Sequence, residues 1–371
     1  MKIDVAGIVL AGGNNERLGM LTAERATSAM PVAGCYRAID FTLSNMTNSG
    51  IKKAAVITQY NSRSLRDHLS SSKWWDFGRK QGGLFVFSPF TSQDGSMWFR
   101  GTADSIYQNM PFLRRSNEKY ILIVNGNGIY KMDYANLLEH HIECNADITI
   151  AYQKLNGRDP SKAGMLELDG DGVITNFEEK PVVSDYHKMS LGIYIMERTL
   201  LISLLEEIIP KGHHDITRDI IIRYIKKLKI CGYEFNNYWN AVNDIESYLN
   251  INMDFLNKDV RDEILNSYPY IYTKPKDEPP AKYNPGAVVK RAIIGDGAIL
   301  NGLVENSVLF RKVYVGDNSV IKNSVIMEDS HIGNNCHIEN AIIDKEAVIS
   351  DDKSIVGTPE APYIIAKGTV V

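Results

Sequence analysis

The chain lacks the marks of several large protein classes. Its four cysteines, Cys35, Cys144, Cys231 and Cys336, stand far apart, with no CxxC pair and no Cys/His spacing suited to zinc. That excludes a disulfide-stapled scaffold and predicts free thiols in a reducing cytoplasm. No apolar run reaches the roughly eighteen residues of a membrane helix, and the N-terminus has no basic segment leading into an apolar core and cleavage site. The expected location is therefore cytoplasmic, away from membranes. Charge of one sign is also missing. A net charge of −4 with acids and bases interspersed builds neither a nucleic-acid groove nor a patch for anionic lipid.

What remains is an ordinary globular composition. With 371 residues, 44% hydrophobic and 23% charged, the chain can bury enough surface for two domains. Over residues 1–255, short apolar runs at 5–10, 53–58, 120–124, 146–152 and 191–196 alternate with amphipathic stretches. This is the α/β pattern and predicts a mostly parallel, Rossmann-like sheet covered by helices, with ligands at the carboxyl ends of its strands. One helix is expected over 134–143, with Leu137, Leu138 and Ile142 on one face. Residues 256–285 form a connector, irregular where Tyr, Lys and Pro dominate 268–285.

From 286 to 371 an apolar residue recurs every five or six positions: Ile294, Ile299, Val304, Val315, Val320, Ile326, Ile332, Ile338, Ile343 and Val348. Glycine follows at Gly295, Gly316 and Gly333. A sandwich of short strands alternates at period two and does not hold so long a repeat. The pattern suits a left-handed parallel β-helix, each strand placing one aliphatic side chain in a narrow core.

The first apolar run feeds Ala11-Gly12-Gly13-Asn14-Asn15-Glu16-Arg17-Leu18. A buried strand opening into a glycine turn is a layout for phosphate. Gly12 and Gly13 let backbone N–H groups come close, and Arg17 offers a fork of donors. Asn15 stands where such loops have a third glycine; it tolerates positive φ but adds bulk. His140-His141 and His213-His214 look like metal clusters, yet adjacent histidines on a helix point apart and no carboxylate sits at ligand spacing. Trp74 and Trp75 are expected to pack a loop rather than stack on a base.

Further motifs follow in order: Tyr36 to Asn45 (YRAIDFTLSN), Trp98 to Asp104 (WFRGTAD), Gln108-Asn109, and Phe177-Glu178-Glu179-Lys180-Pro181. In these the chain resembles the ADP-glucose pyrophosphorylase family, which makes ADP-glucose from ATP and glucose 1-phosphate for bacterial glycogen synthesis. The resemblance spans nearly the whole chain. It implies a Rossmann-like, GT-A-like nucleotidyltransferase domain followed by the left-handed β-helix. It also implies two aspartates for Mg²⁺, one in a Gly-Asp-His-Ile-Tyr segment and one in Trp-Lys-Asp-Val-Gly.

Here those segments read Gly126-Asn127-Gly128-Ile129-Tyr130 and Trp239-Asn240-Ala241-Val242-Asn243. Asn127 is a neutral, weaker ligand and Ala241 is none. Losing the metal would cost several kcal/mol of barrier. Thr27 stands where the family has a lysine facing the phosphates, so one cation is gone too. The sugar side survives: the resemblance assigns sugar-phosphate contacts to Glu179, Lys180, Ser190, Gly192 and Asp219. No metal and no cofactor are expected for this chain; Mg²⁺ would serve a catalytic partner.

These departures resemble those of the family's diverged D-type branch in Gram-positive bacteria. That implies a regulatory subunit assembling with the catalytic subunit as a heterotetramer, with self-association also open. Two rivals are an active adenylyltransferase recruiting metal through Asp104, Glu178 or Asp244, and a stand-alone sugar-phosphate sensor.

Overall fold

The computed structural model describes residues 3–78, 82–89 and 98–371. The apolar runs become strands because both faces of the central sheet are covered, which rewards continuous rather than alternating hydrophobicity. Val5–Ala11 lies at the centre, paired in parallel with Lys53–Thr58 on one side and Tyr120–Asn125 on the other, and Gly83–Phe87 extends the parallel part. Beyond Tyr120–Asn125 the sheet changes direction. Lys188–Glu197 runs antiparallel to it and pairs in turn with Ile148–Lys154 and Gly164–Leu168. Among the described residues the sheet has nine strands and is mixed, not mostly parallel as the alternation suggested.

The helix Tyr134–Glu143 forms where expected, capped by Asp133, whose carboxylate accepts from the Ala135 N–H at 2.9 Å. Its buried face is rotated from the expected one. Leu137 and Leu138 are buried, but Ile142 is 45% exposed and His141 points inward instead. His141 Nδ1 lies 2.8 Å from Thr149 Oγ1, and its ring packs edge-on to Tyr120. That hydrogen bond lets an imidazole take a core position.

Helical structure continues past the first domain through Asn266, and the first coil strand is Lys282–Tyr283. Between them the irregular segment is stitched across the helix Ala38–Asn48. Ser44 Oγ accepts from the Tyr272 N–H at 2.8 Å, and Asn48 Nδ2 donates to the Tyr270 carbonyl. Trp75, on a short turn and fully buried, donates its indole N–H to the Tyr272 carbonyl, while Trp74 lies beneath the Lys73 ammonium.

The C-terminal region is a left-handed parallel β-helix of three five-stranded sheets. Left-handed residues turn its corners, mostly Asn and Asp: Asn306, Asn323 and Asn340 occupy one column, with φ near 48°. Asn306 Nδ2 donates to Asn323 Oδ1 at 2.7 Å, tying successive coils. Gly295, Gly316 and Gly333 sit where coils stack; a Cβ at Gly316 would lie 2.4 Å from the Gly333 carbonyl oxygen. The phase of the repeat differs at three sites. Ile299, Val320 and Val348 point outward, and the following Leu300, Ile321 and Ile349 fill the core.

The β-helix and the first domain share one core. Val308, Phe310, Val325, Met327 and Ile342 pack with Phe41, Tyr248 and Phe255. Among the described residues no helix is long and apolar enough to cross a membrane.

Ile332 is fully buried in the coil core, so Ile332→Asp should cost at least about 3 kcal/mol in a denaturant titration. An unchanged midpoint would deny that packing. Burial lowers the His141 pKa from 6.5 to about 4, so the fold favours the neutral ring. Its contribution is fully present above pH 6.5 and declines toward pH 4, by about 3 kcal/mol. His141→Gln should flatten that part of the stability profile.

Candidate functional site

A cavity of about 560 Å³ opens at the carboxyl ends of the parallel strands. Its size suits a small phosphorylated ligand or a nucleotide. The glycine turn forms one wall. A Cβ on Gly12 would come within 3.2 Å of Gln59, whereas Gly13 faces open space. Gly12 therefore serves packing, and Gly13 leaves the room. Asn15 also lines the cavity, but at φ −112°, so its tolerance of positive φ is unused. Its amide donates to the Asn243 carbonyl at 2.7 Å. Arg17 does not line the cavity; it is exposed on the next turn, within electrostatic reach of Asp159.

The opposite wall is built by a kink in the long strand Lys188–Glu197. Its register with Ile148–Lys154 shifts between Ser190 and Tyr194. Gly192 takes φ +69° there, and a Cβ would fall 2.4 Å from the Asn125 amide. Only glycine meets both conditions. Ser190 and Gly192 line the cavity beside Glu179 and Lys180. Lys180 sits just past the strand Ile174–Glu179 at φ 49°, an unfavourable value for lysine, with Nζ 3.8 Å from Glu179 Oε1. Burial raises the Glu179 pKa against the pull of Lys180.

Asp219 is placed otherwise. It lies outside the lining, and its Oδ2 accepts from the His214 and Asp215 N–H groups at 2.8 and 2.9 Å. The acid of that motif that reaches the cavity is Asp215, whose Oδ2 accepts from Thr102 Oγ1 at 3.1 Å. Thr102 Oγ1 in turn accepts from the Ile216 N–H at 2.9 Å, joining the Trp98–Asp104 motif to this segment. The Tyr36–Asn45 motif proves to be scaffold: Asn45 Nδ2 donates to the Tyr130 carbonyl, and Thr42 Oγ1 to that of Asn125.

Asn127 and Ala241 come together in the third wall, flanking a two-stranded ribbon in which Gly128 pairs with Ala241. Asn127 Nδ2 donates to the Val242 carbonyl at 3.0 Å and to Asn243 Oδ1 at 3.2 Å. Both amide protons are thus engaged across the ribbon. Thr27 and Ser28 complete the floor.

Sequence reasoning missed Lys162 and Arg100 as cavity cations. Lys162 bonds Asp244 at 2.9 Å and Glu246 at 3.0 Å. Burial lowers its pKa, but those carboxylates outweigh it and leave the value raised. No local motif marks Lys162, because its partners lie more than eighty residues away. Arg100 stood in a recognised motif and lines the cavity from there.

At the ribbon, Asn127 and Ala241 offer no carboxylate to a divalent cation. Among the described residues no three histidine, cysteine or acidic side chains cluster to hold one. Three other carboxylates are committed elsewhere. Buried Asp104 accepts from the Arg100 N–H and Gln108 Nε2, Glu178 accepts from Ser184 Oγ, and Asp244 caps the helix Ile245–Asp254 and pairs with Lys162. His140 and His141 point to different partners, Gly232 and Thr149, and His213 pairs with Asp219.

Comparison with known proteins agrees with this layout. The chain matches the nucleotidyl transferase family over residues 6–258 and the GlmU-like C-terminal hexapeptide family over residues 279–361. It is 38% identical to the glucose-1-phosphate adenylyltransferase of Halalkalibacterium halodurans over 324 residues, covering 86% of this chain and 84% of that one. It is 37% identical to the Bacillus subtilis protein of the same name over 322 residues, covering 86% and 85%. The corresponding Clostridium acetobutylicum protein is 39% identical, with the same coverage. Identity at this level over most of both chains, on the same two-part architecture, means that the chain belongs to the glucose-1-phosphate adenylyltransferase, or ADP-glucose pyrophosphorylase, family of nucleotidyl transferases.

Proposed function

We propose that this chain is a regulatory, catalytically impaired subunit of a glucose-1-phosphate adenylyltransferase, of the D-type, acting in cytoplasmic glycogen synthesis. It assembles with a catalytic subunit into a heterotetramer. The observation that carries this reading is the Asn127 amide, hydrogen-bonded across the ribbon to Val242 and Asn243 where a metal carboxylate would be required. Ala241 across the ribbon supplies no ligand, and Thr27 supplies no cation. Attack of a sugar phosphate on the α-phosphorus of ATP needs phosphate charge neutralised and three groups held in line. Arg100, Lys162 and Lys180 supply positive charge, but nothing replaces the templating ion. The active-enzyme rival loses support because Asp104, Glu178 and Asp244 all have other partners.

The sugar end keeps Glu179, Lys180, Ser190 and Gly192 around one space. A phosphorylated sugar binds there, and its differential affinity for two states of the assembly would regulate the partner.

The pure chain should make ADP-glucose from ATP and glucose 1-phosphate at least about a thousandfold more slowly than a catalytic relative. Robust Mg²⁺-dependent turnover by a clean preparation sinks the reading. Calorimetry should show a sugar phosphate binding more tightly than Mg-ATP, with Lys180→Ala weakening it about tenfold through loss of one charge-assisted hydrogen bond. Tight Mg-ATP binding without sugar-phosphate binding would reverse the assignment.

A further inference from the structure

The glycine turn and the ribbon are two walls of one cavity, and a single side chain joins them. Asn15 stands at the end of the turn that follows the strand Val5–Ala11, and its Nδ2 donates at 2.7 Å to the carbonyl of Asn243, just past the ribbon. Both residues line the cavity. The backbone of Asn15, at φ −112°, is one that any residue adopts, so its amide and not its conformation sets the position apart.

Both ends of this bond are held in place. The Asn15 carbonyl accepts from the Leu18 N–H and from Thr22 Oγ1, each at 3.2 Å. Asn243 donates its N–H to Ser247 Oγ at 3.0 Å and accepts at Oδ1 from Asn127 Nδ2 at 3.2 Å. On the next residue, Asp244 Oδ2 lies 2.9 Å from Lys162 Nζ. The tie therefore joins two segments that are each anchored by their own hydrogen bonds.

Its place decides its effect. In a sheet of this kind phosphate approaches the turn after the first strand, where backbone N–H groups are free to point at it. Gly13 leaves open space there. Phosphates extending from that space toward the ribbon meet the Asn15–Asn243 bond, and two walls at hydrogen-bond distance leave no gap for a phosphoryl group. Glu179, Lys180, Ser190 and Gly192, on the opposite wall, take no part in the bond.

We infer that Asn15 is a specificity-determining residue, whose tie to Asn243 closes the glycine-turn end of the cavity to nucleoside di- and triphosphates while a sugar phosphate still enters. The inference rests on the proposed division of the cavity into a nucleotide end and a sugar end, and it adds a cause of nucleotide exclusion that involves no metal. A nucleotide must break the tie before its phosphates seat. One neutral hydrogen bond keeps all but about a fifth of the molecules closed, so its loss tightens nucleotide binding about fivefold.

Calorimetry on the full-length chain with ADP in excess EDTA tests this, since chelation removes any contribution from a metal. Asn15→Ala and Asn15→Gly should each bind ADP about fivefold more tightly than the unaltered chain, with glucose 1-phosphate affinity and the circular dichroism spectrum unchanged. Glucose 1-phosphate titrated into the unaltered chain reports separately on the proposed function, because the ADP comparison needs no sugar site. Equal ADP affinity in all three proteins, or none in any, would overturn the inference. So would an equal gain for glucose 1-phosphate, the result of a general loosening of the cavity.

Discussion

The structure depends on one core shared between its two domains. Phe310, Val325 and Met327 of the β-helix interlock with Phe41, Tyr248 and Phe255 of the first domain, all fully buried. Arg25 and Asp344 meet inside this boundary at 2.6 Å, only 5% and 1% exposed. A buried ion pair adds little net stability over an apolar one, but removing either partner strands a charge at about 3–5 kcal/mol, so the pair fixes how the domains seat. Two residues after Arg25, Thr27 lines the cavity. Tyr248 donates to the Pro31 carbonyl and Asn252 accepts from the Ala33 N–H, which secures the far end of the same segment. Through Arg25, the β-helix therefore braces the segment that supplies Thr27 and Ser28 to the floor of the cavity.

Within that frame the two ends of the cavity are built differently. At the ribbon end, Asn127 uses both amide protons on oxygens of Val242 and Asn243. A carboxylate there would turn a donor into an acceptor facing two other acceptors. The ribbon is built around an amide, and a single return to aspartate would not restore a ligand without cost. At the opposite end, backbone constraints shape the pocket. Gly192 sits against Asn125 at a φ that only glycine adopts freely, and Lys180 keeps a strained backbone at the rim.

Much of this was legible in the residues, and the misses have physical causes. The strand Lys53–Thr58 and the helix Tyr134–Glu143 matched their patterns to the residue, because burial on both faces or along one face leaves a clear period. Hydrophobicity alone misjudged the helix face, since a hydrogen bond to Thr149 makes His141 a core residue and leaves Ile142 outside. In the β-helix the repeat gave the architecture, but where two aliphatics adjoin, as at Ile299 and Leu300, composition cannot say which points inward. The mixed sheet escaped because strand direction depends on connections, not on residue type. At the site, Gly12, Gly13, Asn15, Thr27, Asn127, Ala241 and the sugar-side residues other than Asp219 converge on one cavity. Lys162 was invisible because its partners are distant in sequence. Asp219 was mistaken for Asp215 because one motif holds a capping acid and a lining acid four positions apart.

In the function proposed here, a chain of this family has kept the scaffold and sugar end of its site while giving up chemistry for control of a partner. The most direct test mixes equimolar full-length chain with the catalytic glucose-1-phosphate adenylyltransferase of the same organism. Assembly mass and ADP-glucose synthesis are then followed across a series of sugar-phosphate concentrations. The expected result is one mixed assembly whose maximal rate or sugar-phosphate response differs from that of the catalytic subunit alone. Separate elution of the two chains, with rate and response unchanged, would contradict it.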